Sequence, residues 1–70
     1  MPKIRFKIAV MTGSFVNYAE IDGYRLDMGI KGCPLGRGRT IKEAVDDLIY
    51  RVKVESNIDL IQDGELIIRD

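Results

Sequence analysis

The sequence predicts an α+β fold in the order β-β-β-α-β, with one amphipathic helix packed on an antiparallel sheet. Three observations lead there. Apolar residues recur at steps of three and four in one stretch only, at Ile41, Ala44, Val45, Leu48, Ile49 and Val52, which is the period of a helix that buries a single stripe. Upstream the period is two, with Ile4, Phe6, Ile8 and Val10 set against Lys3, Arg5 and Lys7. Turn formers such as Asp22-Gly23 and Asp63-Gly64 separate the short runs.

In chain order, Lys3–Met11 reads as the first strand and Thr12-Gly13-Ser14 as a tight turn. Phe15–Ile21 is the return strand, with Phe15, Asn17, Ala19 and Ile21 on one face and Val16, Tyr18 and Glu20 on the other. Tyr24–Ile30 alternates again, Tyr24, Leu26, Met28 and Ile30 against Arg25, Asp27 and Gly29. It is predicted as the third strand of a meander with one face toward water. Lys31–Arg39 holds three glycines and Pro34 in nine residues and is predicted to be irregular, with Leu35 as its anchor to the core.

Thr40 and Glu43 have the spacing of a capping box, in which the hydroxyl accepts the Glu43 N–H and the carboxylate reaches back to the Thr40 N–H. The helix is predicted to end at Ser56-Asn57, both poor helix formers. Lys42 with Asp46 and Asp47 with Arg51 are placed four apart as ion pairs, and Tyr50 is placed at the rim of the core. Glu65–Arg69 reads as a strand, whereas Ile58–Ile61 is too short an apolar run to separate strand from loop.

Seventy residues make one domain, 1–70. A chain of this size buries only about 60% of its unfolded surface, so self-association, as a homodimer or larger, is the expected extra source of stability. Eleven basic and eleven acidic residues cancel, so only local patches can attract nucleic acid or a membrane surface. The single Cys33 excludes an internal disulfide framework and fits a reducing compartment; it reads as a small buried hydrophobe. No apolar run approaches the roughly 18 residues of a membrane span, and the alternating N-terminus is unlike a signal peptide. The expected location is cytoplasmic.

Catalysis finds little support. The chain has no histidine, which removes imidazole acid–base work and Ser–His or Cys–His nucleophiles. A two-metal nuclease needs carboxylates around ions about 4 Å apart; Glu20, Asp22 and Asp27 are the candidates, and they read more simply as a solvated sheet face. No cofactor or metal is therefore expected. Gly36-Arg37-Gly38-Arg39 precedes a capped helix but lacks the phosphate-loop spacing. Lys3, Arg5 and Lys7, extended by Arg25, Arg37 and Arg39, form a basic stripe that offers phosphate contacts without interleaved aromatics. It serves equally as a guard against edge aggregation.

Asp22-Gly23-Tyr24, then Gly32-Cys33, then Gly38-Arg39-Thr40-Ile41-Lys42-Glu43-Ala44 resemble, in order and spacing, the HicB antitoxin family. The resemblance covers roughly Phe15–Val54. It implies a degraded ribonuclease-H-like β-β-β-α-β unit that binds and neutralises a HicA toxin, a small basic ribonuclease with a catalytic histidine. The chain departs from the family at Met28-Gly29-Ile30-Lys31, where a Pro-Asp-x-Pro approach is usual, and in one extra residue between Cys33 and Gly38. It carries a full strand ahead of the matched region, and no DNA-binding extension is expected after Asp70. A basic ribonuclease calls for a negative, RNA-like surface, since charge complementarity speeds encounter. Glu20, Asp22, Asp27, Asp46 and Asp47 are the partner-binding candidates; Lys3, Arg5, Lys7, Arg37 and Arg39 are the nucleic-acid alternative. The expected function is a non-catalytic, antitoxin-like binding module.

Overall fold

The structure, a computed structural model, describes residues 2–69. The first alternating run forms two strands, β1 (Lys3–Phe6) and β2 (Ile8–Met11), with a bend at Lys7. At the bend the neighbours change. The Phe6 carbonyl accepts the Asp63 N–H at 3.0 Å, and the Lys7 carbonyl accepts the Asp22 N–H at 2.8 Å. β3 (Asn17–Ile21) pairs antiparallel with β2 as the hairpin reading predicts.

The third strand lies elsewhere than predicted. Tyr24–Ile30 is a loop holding one 3₁₀ turn, Leu26–Met28, closed by the Tyr24 hydroxyl donating to the Ile30 carbonyl at 2.9 Å. The strand is β4 (Leu35–Gly38), inside the segment predicted to be irregular, and it pairs antiparallel with β3. The reason is steric. A Cβ on Gly36 would stand 2.3 Å from the Ala44 carbonyl oxygen and 2.4 Å from the Leu48 amide nitrogen. On Gly38 it would stand 2.5 Å from the Ala44 nitrogen. The helix backbone rests directly on this strand, so the strand's inward positions hold no side chain. Leu35 points the other way and is 39% exposed, so it anchors nothing; the buried residues of the segment are Pro34 and Gly36, and Ile30 is buried just before it. Cys33 is exposed, not the buried hydrophobe expected, because the chain there runs over the surface.

The helix α1 (Ile41–Ser56) follows the reading closely. Thr40 Oγ1 accepts the Glu43 N–H at 3.1 Å and Glu43 Oε1 accepts the Thr40 N–H at 3.0 Å. Asn57 closes the helix in a left-handed conformation, its N–H donating to the Lys53 carbonyl at 3.0 Å. Ala44, Val45, Leu48 and Val52 bury against Ile8, Val10, Ala19 and Ile21. Tyr50 does not rim the core; it is 64% exposed on the outer side. Asn17, the polar residue on the inward face of β3, is buried and donates to the Arg39 carbonyl at 3.0 Å, holding the β4–α1 corner.

After the helix, β5 (Asp59–Gln62) and β6 (Ile67–Arg69) run parallel to β1 and β2. Ile58–Ile61 thus resolves as largely strand, with Leu60 buried. The sheet order is β4-β3-β2-β6, beside the pair β1-β5. Bridging the bends, the order is β-β-β-α-β with one helix packed on the sheet, in the predicted α+β class. The sheet is mixed and not purely antiparallel, because a strand that returns through a helix crossover arrives parallel to its neighbour. No helix among the described residues is long and apolar enough to cross a membrane.

Candidate functional site

The strand registers put two rows of side chains on the sheet face away from α1. One row reads Arg37, Tyr18, Met11, Arg69; the other reads Leu35, Glu20, Ala9, Ile67. Their inward neighbours Gly36, Ala19 and Val10 are the residues that meet the helix. Sheet side chains alternate, and among the described residues no helix lies over the outer rows. Ala9 is wholly buried beneath its larger neighbours, while Met11 and Leu35 are exposed. The face is shallow; one row has Arg37 and Arg69 at its ends with Tyr18 and Met11 between them, and the other sets Glu20 among Leu35, Ala9 and Ile67.

The charges there are arranged by one residue the sequence reading did not single out. Arg69 bonds Asp22 Oδ1 at 3.0 Å and lies 3.5 Å from Glu20 Oε1. One guanidinium serves two carboxylates, both about a third exposed or less. Arg37 supplies a further cation on the same face. Glu20, Asp22, Arg37 and Arg69 therefore balance, and the face is not the negative surface expected.

The other acids lie elsewhere. Asp27 pairs with Arg25 at 3.3 Å in the 3₁₀ loop. Asp46 takes Lys42 at 2.8 Å across the outer turn of α1, and this bond holds the Lys42 ammonium above its usual range. Asp47 has a structural task. Its Oδ2 accepts from Arg51 Nε at 2.9 Å and from the Arg37 backbone N–H at 2.9 Å. β4 is an edge strand, so Asp47 caps an amide that otherwise stands open to a further strand. The Arg51 hydrogen bond first, then the Arg37 amide, hold its carboxyl below the usual carboxylate value. Of the five predicted acids, only Glu20 and Asp22 come together.

No three of the Cys, Asp and Glu residues among those described gather closely enough to hold a metal ion. The basic candidates divide as well. Lys3, Arg5 and Lys7 are exposed along the bent first strand, and Arg37 and Arg39 lie at the far edge on β4 and the turn after it. Among the described residues none of these five cations forms an ion pair. Ser56 Oγ accepts the Lys31 N–H at 2.9 Å and pins the loop to the helix end.

A groove of about 470 Å³ opens on the other side of the sheet. Ile41, Val45 and Ile49 form one wall and Gln62 and Leu66 the other, with Lys42 and Asp46 at the rim. Comparison of the chain with family models, with curated proteins and with solved structures finds no match.

Proposed function

We propose that this chain is a non-catalytic binding module of the antitoxin kind that the HicB resemblance implies, acting in the cytoplasm by covering a small basic ribonuclease of HicA type. The observation that carries the reading is the uncovered sheet face. A two-layer α+β unit leaves one sheet face in water, and such a face is ordinarily polar; here Leu35, Met11, Tyr18 and Ile67 occupy it. Protein interfaces combine apolar contact area with charged groups beside it, and this face carries both. Glu20 and Asp22 are held rigid by Arg69 at one edge, where they meet a partner's cations at little ordering cost. The β-β-β-α-β order supports the reading also.

The test is co-expression with the small basic protein encoded beside this chain, followed by pull-down. The pair co-purifies, and Met11→Glu with Leu35→Glu abolishes the complex while leaving the circular dichroism spectrum unchanged. No complex with any neighbouring small basic protein, or a complex indifferent to that double change, defeats the reading.

One observation favours a second reading. Lys3, Arg5 and Lys7 are exposed, and the outer row Arg37–Tyr18–Met11 sets a ring beside a cation, a combination suited to nucleic-acid strands. Gel shifts across a salt series separate the two readings: the antitoxin reading predicts no shift, whereas nucleic-acid binding weakens steeply with salt.

A further inference from the structure

The two edges of the sheet are treated differently. On β4 the outward amide of Arg37 is capped by Asp47 Oδ2 at 2.9 Å, a block against strand addition. β6 forms the other edge. The Arg69 carbonyl accepts the Thr12 N–H at 2.9 Å, so Arg69 and, two residues back, Ile67 turn their backbone groups toward β2. Backbone groups alternate along a strand. Ile68 therefore turns its N–H and carbonyl to the open side, and Leu66 does the same. Among the described residues nothing bonds the Ile68 backbone there. The Ile68 side chain, opposite Val10 and so on the helix-side face, is 49% exposed. Leu66 shares that face, since it lines the groove beside α1.

We propose that a second copy of this chain adds to this edge, β6 against β6 antiparallel, about a twofold axis that passes between the two Ile67 residues normal to the sheet. The run Glu65-Leu66-Ile67-Ile68-Arg69 is its own complement in that register. Ile67 faces the partner's Ile67, Leu66 faces the partner's Ile68, and Glu65 faces the partner's Arg69. Moving the axis to Ile68 sets Ile67 against the partner's Arg69. Moving it to Leu66 sets Ile67 against the partner's Glu65 and Ile68 against the partner's Gly64. Only the central register joins apolar to apolar and acid to base. The hydrogen bonds agree with it. Ile68 and the partner's Leu66, both with outward backbone groups, form a bonded pair and exchange N–H···O bonds in both directions, while the two Ile67 residues form the unbonded pair between. On the helix-side face Leu66 and Ile68 of both copies close into one apolar strip, opposite residues standing about 5 Å apart at Cβ. On the outer face Glu65 is exposed and, among the described residues, in no ion pair. Arg69 stays half-exposed while it holds Asp22 and Glu20, and the five N–H donors of a guanidinium admit a third carboxylate. The axis sets both helices on one side and both outer faces on the other, so those faces stay open. The added burial is what a chain of this size lacks, and each contact is made twice, as an isologous interface requires.

Sedimentation equilibrium of the 70-residue chain across the micromolar range, joined to cysteine cross-linking, tests it. The wild type sediments as a dimer. Ile68→Pro removes an N–H that bonds nothing within the chain, so the circular dichroism spectrum is kept and the dimer is lost. Glu65→Lys, at an exposed position, sets a cation against Arg69 at both ends and weakens the dimer about tenfold. In a Cys33→Ser background Ile67→Cys forms an interchain disulfide under air oxidation, its Cα atoms standing about 4.5 Å apart across the axis. Ile68→Cys, offset by two positions from its own copy, does not. A monomeric wild type, its edge left to another protein's strand, overturns the proposal. So does a dimer indifferent to Ile68→Pro or to Glu65→Lys, or an Ile67→Cys disulfide that forms no more readily than the Ile68→Cys one.

Discussion

Replacing Gly36 with alanine adds one methyl group, and the structure says what it meets. The new Cβ stands 2.3 Å from the Ala44 carbonyl oxygen and 2.4 Å from the Leu48 nitrogen, with the Leu48 Cα at 2.8 Å. All three are helix backbone, so no rotamer change relieves the overlap. Either β4 leaves the sheet or α1 lifts by more than an ångström, and lifting opens a void under Ala44 and Leu48, both wholly buried. Overpacking costs about 1–3 kcal/mol, and partial loss of the Leu48 contacts adds about half of the ~2–5 kcal/mol of a buried leucine. Against this, alanine restricts the unfolded chain and returns about 0.4–1 kcal/mol. The expected net loss is about 2–4 kcal/mol, a fall in Tm of roughly 10–25 °C for a domain of this size. Urea unfolding followed at the helix band, at one fixed protein concentration, measures it. Arg37→Ala, between the two glycines and exposed, is the control and stays within about 0.5 kcal/mol. A Gly36→Ala loss no larger than the control's refutes the argument that the helix rests on this strand's backbone.

Thr40→Ala removes the acceptor for the Glu43 N–H and leaves the Glu43 carboxylate alone at the cap; it lowers stability by about 1 kcal/mol, read from the same urea curves. Asp47 has a depressed folded-state pKa. Its contribution is therefore complete above the unfolded value of about 3.9 and fades as pH falls through the folded value. Asp47→Asn accordingly costs about 1 kcal/mol at neutral pH, and the difference from wild type shrinks as pH falls below the unfolded carboxylate value, which a pH series of Tm checks. Asn17→Ala strips the Arg39 carbonyl of its buried donor and costs about 1–3 kcal/mol, with amide exchange rising first at the β4–α1 corner. Asn57→Gly keeps the left-handed closure with less strain and raises Tm by a few degrees, worth about 0.5 kcal/mol.

Local features were legible in the sequence because local rules govern them. Thr40 and Glu43 announce the helix start, and the pairs Lys42–Asp46 and Asp47–Arg51 form at the predicted spacing. The strand at Leu35–Gly38 was hidden because periodicity counts side chains, and its inward face has none. Conversely, Tyr24–Ile30 alternates well without pairing to a neighbour, since alternation alone does not supply a partner strand. The clamp of Arg69 on Asp22 spans 47 positions, a distance that only topology closes. The second task of the Asp47 carboxylate, capping the Arg37 amide, depends on the same hidden strand.

The proposed function requires the uncovered sheet face to be the docking surface. The most direct measurement is amide chemical-shift mapping of the labelled chain titrated with the small basic protein proposed as its partner. Perturbations concentrated at Met11, Tyr18, Glu20, Leu35 and Ile67 are the predicted result. Perturbations confined to Lys3, Arg5 and Lys7, or to the outer side of α1, contradict it.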